Sequence, residues 1–157
     1  MDAAAFEEVL RGLRVVNDLR EAGPGVADEE WEELEKLFND SFEADHHLAA
    51  YGTFVPGAEN HAVVASIPGR WVGGLHVHGD LYEEGWGAAE GAPAFVFRAE
   101  GPRVPVRLLV SPDLPSHWKR LDDFEGEQYR RILVPVLRGG ELVTVANLYE
   151  ARPAPED

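Results

Sequence analysis

One change of pattern near residue 48 constrains this chain more than any other feature. Before it, apolar residues recur at spacings of three and four; after it, they come in short β-prone runs broken by Gly and Pro. Phe6, Val9, Leu10, Leu13, Val16 and Leu19 make one stripe, and Trp31, Leu34, Leu37, Phe38 and Phe42 a second, as two amphipathic helices require. Asp2 can cap the first helix and Gly23-Pro24 can end it. Asp28 can cap the second, with Glu29 and Glu30 well placed in its first turn. The expectation is a helical hairpin that lays its apolar faces on the rest of the chain or on a second copy of it.

The runs HLAAYGTF, HAVVAS, RWVGGLHVHG, AFVFRA, RVPVRLLV, RRILVPVL and ELVTVANLY read as strands separated by turns. One further helix is expected from about Pro115 to Phe124, with Pro115 suited to its first turn. Several strands and few helices predict an α+β fold, a small closed barrel or curved sheet with flanking helices. Three segments follow: a helical extension over 1–48, the β-rich body over 49–151, and a tail over 152–157.

Charge excludes some partners. The 157 residues hold 14 Lys+Arg against 29 Asp+Glu, a formal charge of −15, and most of that excess lies in residues 1–48. Such a surface repels phosphate backbones, so no nucleic-acid partner is expected. Cysteine is absent, which excludes disulfides, thiol catalysis and thiolate-bound metal. The N-terminus is acidic and amphipathic, unlike a secretory signal, and no apolar stretch reaches membrane-spanning length. The expectation is a cytoplasmic protein with no membrane partner.

Nucleophiles are scarce. None of Ser41, Ser66, Ser111 and Ser116 lies in a G-x-S-x-G elbow, and neither Lys36 nor Lys119 lies in an apolar run that would desolvate it. Gly85, Gly87 and Gly91 have the wrong spacing for a dinucleotide loop, and no phosphate-loop motif occurs. His76, His78 and Asp80 alternate on one predicted strand face and His46 adjoins His47, yet no third cluster completes a ligand set, so neither metal nor cofactor is expected.

Carboxylate chemistry remains. If the last helix reaches residue 125, Glu125 follows Trp118 by seven positions and Leu121 by four, on their apolar face, while Asp123 points elsewhere and Asp122 only partly inward. A carboxylate beside Trp and Leu is desolvated, which raises its pKa and makes it a better base near neutrality. The second feature is the turn Tyr51-Gly52-Thr53-Phe54-Val55-Pro56-Gly57, whose successive N–H groups can form an anion-binding concavity that Gly52 lets a ligand approach. Taken singly, each also reads as something plainer: a solvated helix end and an ordinary connection.

Together they resemble a family. YGTFVPGAENH, GDLYEEGWG, LDDFEGEQYRR and ANLYE occur in the order of the corresponding segments of the gamma-glutamylcyclotransferase-like family, which includes the gamma-glutamylamine cyclotransferases. The resemblance implies a small closed mixed β-barrel with a cavity at one end, and enzymes that release 5-oxoproline from a gamma-glutamyl group. It implies that Glu125 is the catalytic glutamate, that Tyr51, Gly52, Thr53 and Phe54 hold the substrate's α-carboxylate, and that Tyr129 stands near the site. A gamma-glutamyl amine, amide or peptide carries its own nucleophile, the α-amine, so the scarcity of Ser and Lys candidates is no obstacle. Phe54 departs from the family's leucine, Val55 and Pro56 from its basic pair, and RVPVRLLVSPDLP from its strand before the helix. The helical front has no counterpart in the family's minimal domain. A rival reading is a non-catalytic module binding a small ligand or a protein, with the N-terminal helices as the contact, including one between two copies in a homodimer. An anionic substrate would need a positive patch, for which Arg130 and Arg131 are nearest.

Overall fold

Alternating side chains explain why residues 129–151 fold as they do. In the computed structural model, which describes residues 3–22, 28–51, 61–82 and 94–151, strands β5 (Tyr129–Arg138) and β6 (Glu141–Ala151) pair antiparallel, with Ile132 opposite Leu148 and Val134 opposite Ala146. Ile132, Val134, Val136, Ala146 and Leu148 point into one core, while Leu133 and Val145 point into another. Both faces are covered, so the run ILVPVL is apolar throughout rather than alternating.

The other strands are β1 (His47–Ala50), β2 (Arg70–Tyr82), β3 (Ala94–Phe97) and β4 (Arg103–Val110). They form the order β3-β2-β4-β1-β6-β5, and β2 also meets β5, with His76 opposite Leu137. That last contact closes five strands into a barrel, with β3 attached outside it. The pairing of β1 with β6 is parallel and the others are antiparallel, so the barrel is mixed, as the family resemblance implies. A bulge between Val72 and Leu75 shifts the register of the long strand β2, which pairs with β4 on both sides of it. Inside the barrel Leu75, Val77, Phe95, Val104, Val106 and Leu108 complete the core.

Helices α1 (Ala3–Ala22) and α2 (Asp28–Phe42) form the hairpin. Leu10, Leu13 and Val16 are buried against Leu133, Val145 and Phe38. Gly12 makes room: a Cβ there would stand 3.1 Å from the Phe38 ring. Three buried aliphatic side chains contribute about 1.5–3 kcal/mol each, the main hold of the hairpin on the barrel. Asn17 adds direction. Its Nδ2 donates to the carbonyl of Leu133 at 3.0 Å and its Oδ1 accepts from the Leu133 N–H at 2.7 Å, replacing a neighbouring strand.

Three expectations need correction. Leu37, assigned to the apolar stripe, is 57% exposed; the buried face of α2 runs through Leu34, Phe38 and Phe42 instead. HAVVAS is not a strand. It holds a short helix α3 (Ala62–Ala65), because Val64 and Ile67, three apart, both pack against the cluster of Leu114, Trp118 and Leu121, which overrides the β-propensity of the valines. Arg120 donates to the Val63 carbonyl at 2.7 Å. The last helix, α4, spans Trp118–Glu125, starting after Pro115, which sits instead in a 3-10 turn over Leu114–Ser116. No helix among the described residues is long and apolar enough to cross a membrane.

Replacing Asn17 with Ala strands the Leu133 N–H and carbonyl in a buried interface, so chemical denaturation is expected to show a stability loss of about 2–3 kcal/mol.

Candidate functional site

Glu125 is the last residue of α4, and its position follows from how that helix is anchored and stopped. Trp118 and Leu121 bury one face, and the Trp118 indole N–H donates to the Asp45 carbonyl at 3.0 Å. Gly126 ends the helix with φ 70° and ψ −164°, a conformation open essentially to glycine alone, and a 3-10 turn over Gly126–Gln128 leads into β5. Phe124 and Asp123 face outward, Asp123 toward Lys119 at 3.2 Å, whereas Glu125 is half-buried. Burial raises its pKa to about 7, well above an ordinary glutamate.

Three tyrosines stand within electrostatic reach of that carboxylate: Tyr51, Tyr129 and Tyr149. Tyr51, at the end of β1, donates its hydroxyl to the Tyr149 carbonyl at 2.7 Å, accepts from the Phe95 N–H at 3.3 Å, and packs its ring on Phe95. Tyr149 donates to Asp122 Oδ1 at 2.6 Å. Burial pushes all three phenols upward, so they are neutral hydroxyls around one carboxylate. The structure therefore brings Tyr51, Tyr129 and Glu125 together. Gly52, Thr53 and Phe54 lie outside the described residues.

Beside this group lies a cavity of about 550 Å³ between the helical front and the barrel, with Arg20 and Glu35 on one side and Asp122, Gly126, Tyr129, Arg131 and Tyr149 on the other. Its guanidiniums already face carboxylates. Arg130 donates to Glu150 at 2.7 Å and lies 3.6 Å from Glu21; Arg131 donates to Asp122 at 3.0 Å and stacks over Trp118 at 4.6 Å. Arg130 and Arg131, expected as a positive patch, are thus balanced locally. Glu150 Oε2 also accepts from the Phe97 N–H at 2.6 Å, tying β6 to β3.

The histidine face is occupied differently. Asp80 forms a two-point pair with Arg98, at 3.0 and 2.9 Å; His78 Nδ1 meets the Gly101 carbonyl at 2.8 Å. His76 is buried, its pKa pushed down by burial and by Arg103. Among the described residues no group of three His, Asp or Glu is placed to hold a metal.

Asp122, Tyr149, Arg20 and Asn147 were not singled out by sequence. Asp122 shows only as half-inward on its helix, and Tyr149 only as part of ANLYE, the last segment of the family resemblance; nothing local marks Arg20.

Residues 48–157 match the family described as gamma-glutamyl cyclotransferase, AIG2-like. Among solved structures, an AIG2-like protein from Mus musculus is 22% identical with a TM-score of 0.52, over 70% of this chain and 80% of that one. YkqA from Bacillus subtilis is 24% identical with a TM-score of 0.51, over 68% of this chain, which spans 36% of YkqA. An Arabidopsis thaliana protein is 19% identical with a TM-score of 0.51, over 71% of each chain. At these identities the likeness is one of fold. No curated protein matches the chain.

A raised carboxylate pKa destabilises the folded state wherever the group must ionise. The penalty at Glu125 is complete above about pH 7 and vanishes below about pH 4.5, where the unfolded chain is protonated as well. Glu125→Gln is therefore expected to melt higher than wild type at pH 8, with the gap narrowing as pH falls and gone below about pH 4.5; equal melting temperatures throughout would show Glu125 to be solvated.

Proposed function

The chain belongs to the AIG2-like gamma-glutamyl cyclotransferase family, and from that premise we propose that it releases 5-oxoproline from a gamma-glutamyl amine, amide or peptide with Glu125 as general acid/base. The observation that carries the reading is a half-buried carboxyl with a pKa near 7, set among neutral tyrosines beside a cavity. A group so poised takes and returns protons at neutral pH with little energetic mismatch.

The steps balance with no external reagent. The ammonium form of the substrate's α-amine gives a proton to the Glu125 carboxylate. The freed nitrogen attacks the γ-carbonyl carbon, forming the C–N bond of a five-membered lactam. As the tetrahedral intermediate collapses, the bond to the leaving amine breaks, Glu125 hands its proton to the departing nitrogen, and the freed carboxylate takes the second proton from the ring nitrogen and passes it to the released amine, which leaves as its ammonium. Attack within one molecule needs orientation more than activation, and positioning alone supplies several kcal/mol. In this reading Tyr51 and Tyr129 border the reacting carbon, and Gly52, Thr53 and Phe54 present backbone N–H groups to the α-carboxylate. The helical front lines the neighbouring cavity, whose walls include Tyr129 and Tyr149 but not Glu125.

The test is 5-oxoproline release from a panel of gamma-glutamyl amines, dipeptides and glutathione. Glu125→Gln is expected to lower kcat by about 10²–10⁴-fold with binding nearly unchanged. Because the base must be ionised, wild-type kcat/KM should fall as pH drops through about 7. Full turnover by Glu125→Gln would rule out the acid/base role; ligand binding without turnover by wild type would favour the non-catalytic module.

A further inference from the structure

We propose that the helical front, which lies outside the matched family region, sets the position of Glu125 through one hydrogen-bonded chain running from α2 to α4, with Arg20, Asn147 and Asp122 as positioning residues. The catalytic consequence rests on the reading of Glu125 given above; the structural connection does not.

The chain can be followed atom by atom. Arg20 on α1 holds Glu35 of α2 through Nε at 2.8 Å and again through Nη2. Its Nη1 donates to Asn147 Oδ1 at 2.8 Å and to the Arg131 carbonyl at 3.2 Å. The same Asn147 oxygen accepts from Arg131 Nη1 at 2.9 Å, while Asn147 Nδ2 donates to the Ala44 carbonyl at 2.8 Å. Asn147 is 1% exposed, so water cannot replace a lost partner there. Arg131 then donates from Nε to Asp122 Oδ1 at 3.0 Å.

The last contact fixes a rotation. Trp118 and Asp122 lie four apart on α4, hence on one face, and a single guanidinium grips both, stacking on the indole and bonding the carboxylate. Tyr149 holds Asp122 from the barrel side. With that face clamped, the direction of Glu125, three residues beyond Asp122, is determined. Every link from Glu35 to Asp122 is charge-assisted, the strongest class of hydrogen bond, and all but the Asp122 end lie largely out of water. Arg20 is largely buried, with its pKa lowered chiefly by desolvation, so its pairs lie largely out of water.

The experiment is a double-mutant cycle in the full chain, Arg20→Gln with Asp122→Asn. It is read by amide exchange of residues 121–125 and by ¹³C titration of the Glu125 carboxyl. If the chain positions α4, each single variant speeds exchange there by about threefold or more and lowers the Glu125 midpoint as water enters, and the double variant is close to the worse single one. A loss confined to α1 and α2, with α4 and Glu125 as in wild type, would show Arg20 to be a local strut and overturn the proposal. So would two effects on α4 that simply multiply. Should Arg20→Gln fail to fold, Asp122→Asn decides alone, because coupling is reciprocal: the α2 amides near Glu35 must exchange faster, and unchanged rates there sink the idea. Neither readout needs turnover. An inactive wild type would refute the cyclotransferase reading while leaving this connection to stand or fall by itself.

Discussion

The site depends on how one strand is held on the side that its β6 neighbour does not cover. Strand β5 is paired with β6 along its length and meets β2 opposite His76 at Leu137, yet the chain enters it at Tyr129, beside the candidate site. Between those points α1 takes the place of a strand. Asn17 satisfies both backbone groups of Leu133, and Arg20 takes the Arg131 carbonyl. Buried backbone groups without partners are expensive enough that this arrangement has few alternatives. It also explains why polar residues sit on the inner face of a helix whose neighbouring positions, Leu13 and Val16, are wholly buried.

Much of this was legible in the sequence, and the reasons are local. Alternating and continuous apolar runs announced β2, β4, β5 and β6, and the three-four spacing announced α1 and α2. HAVVAS misled because two valines favour a strand in isolation, while the decision was made by distant partners, Leu114 and Trp118. Leu37 misled because a stripe drawn from spacing is wider than the face α2 buries. Glu125 was legible through its distance from Trp118 and Leu121 along one helix. Its hydrogen-bonded surroundings were not: Arg20 and Asn147 are 127 positions apart, and only the closed barrel brings them within 2.8 Å.

The chemistry proposed for the fold is modest, which suits what it contains. Ring closure by the substrate's own amine requires no protein nucleophile, and Ser111, the one fully buried serine, spends its hydroxyl on the Pro68 carbonyl and the Asp113 N–H. What the proposed reaction would need is a carboxyl able to hold a proton near neutrality and a rigid frame around it. Partial burial supplies the first, and the tyrosines with the Asp122–Arg131 clamp supply the second.

The most direct test of the account is the fate of oxygen during turnover in H₂¹⁸O. Cyclisation by the α-amine forms a C–N bond and admits no solvent oxygen, so the product is expected to be 5-oxoproline carrying no ¹⁸O beyond non-enzymatic exchange. Glutamate bearing one ¹⁸O in its γ-carboxylate would mean that water is the attacking group and would contradict the central claim.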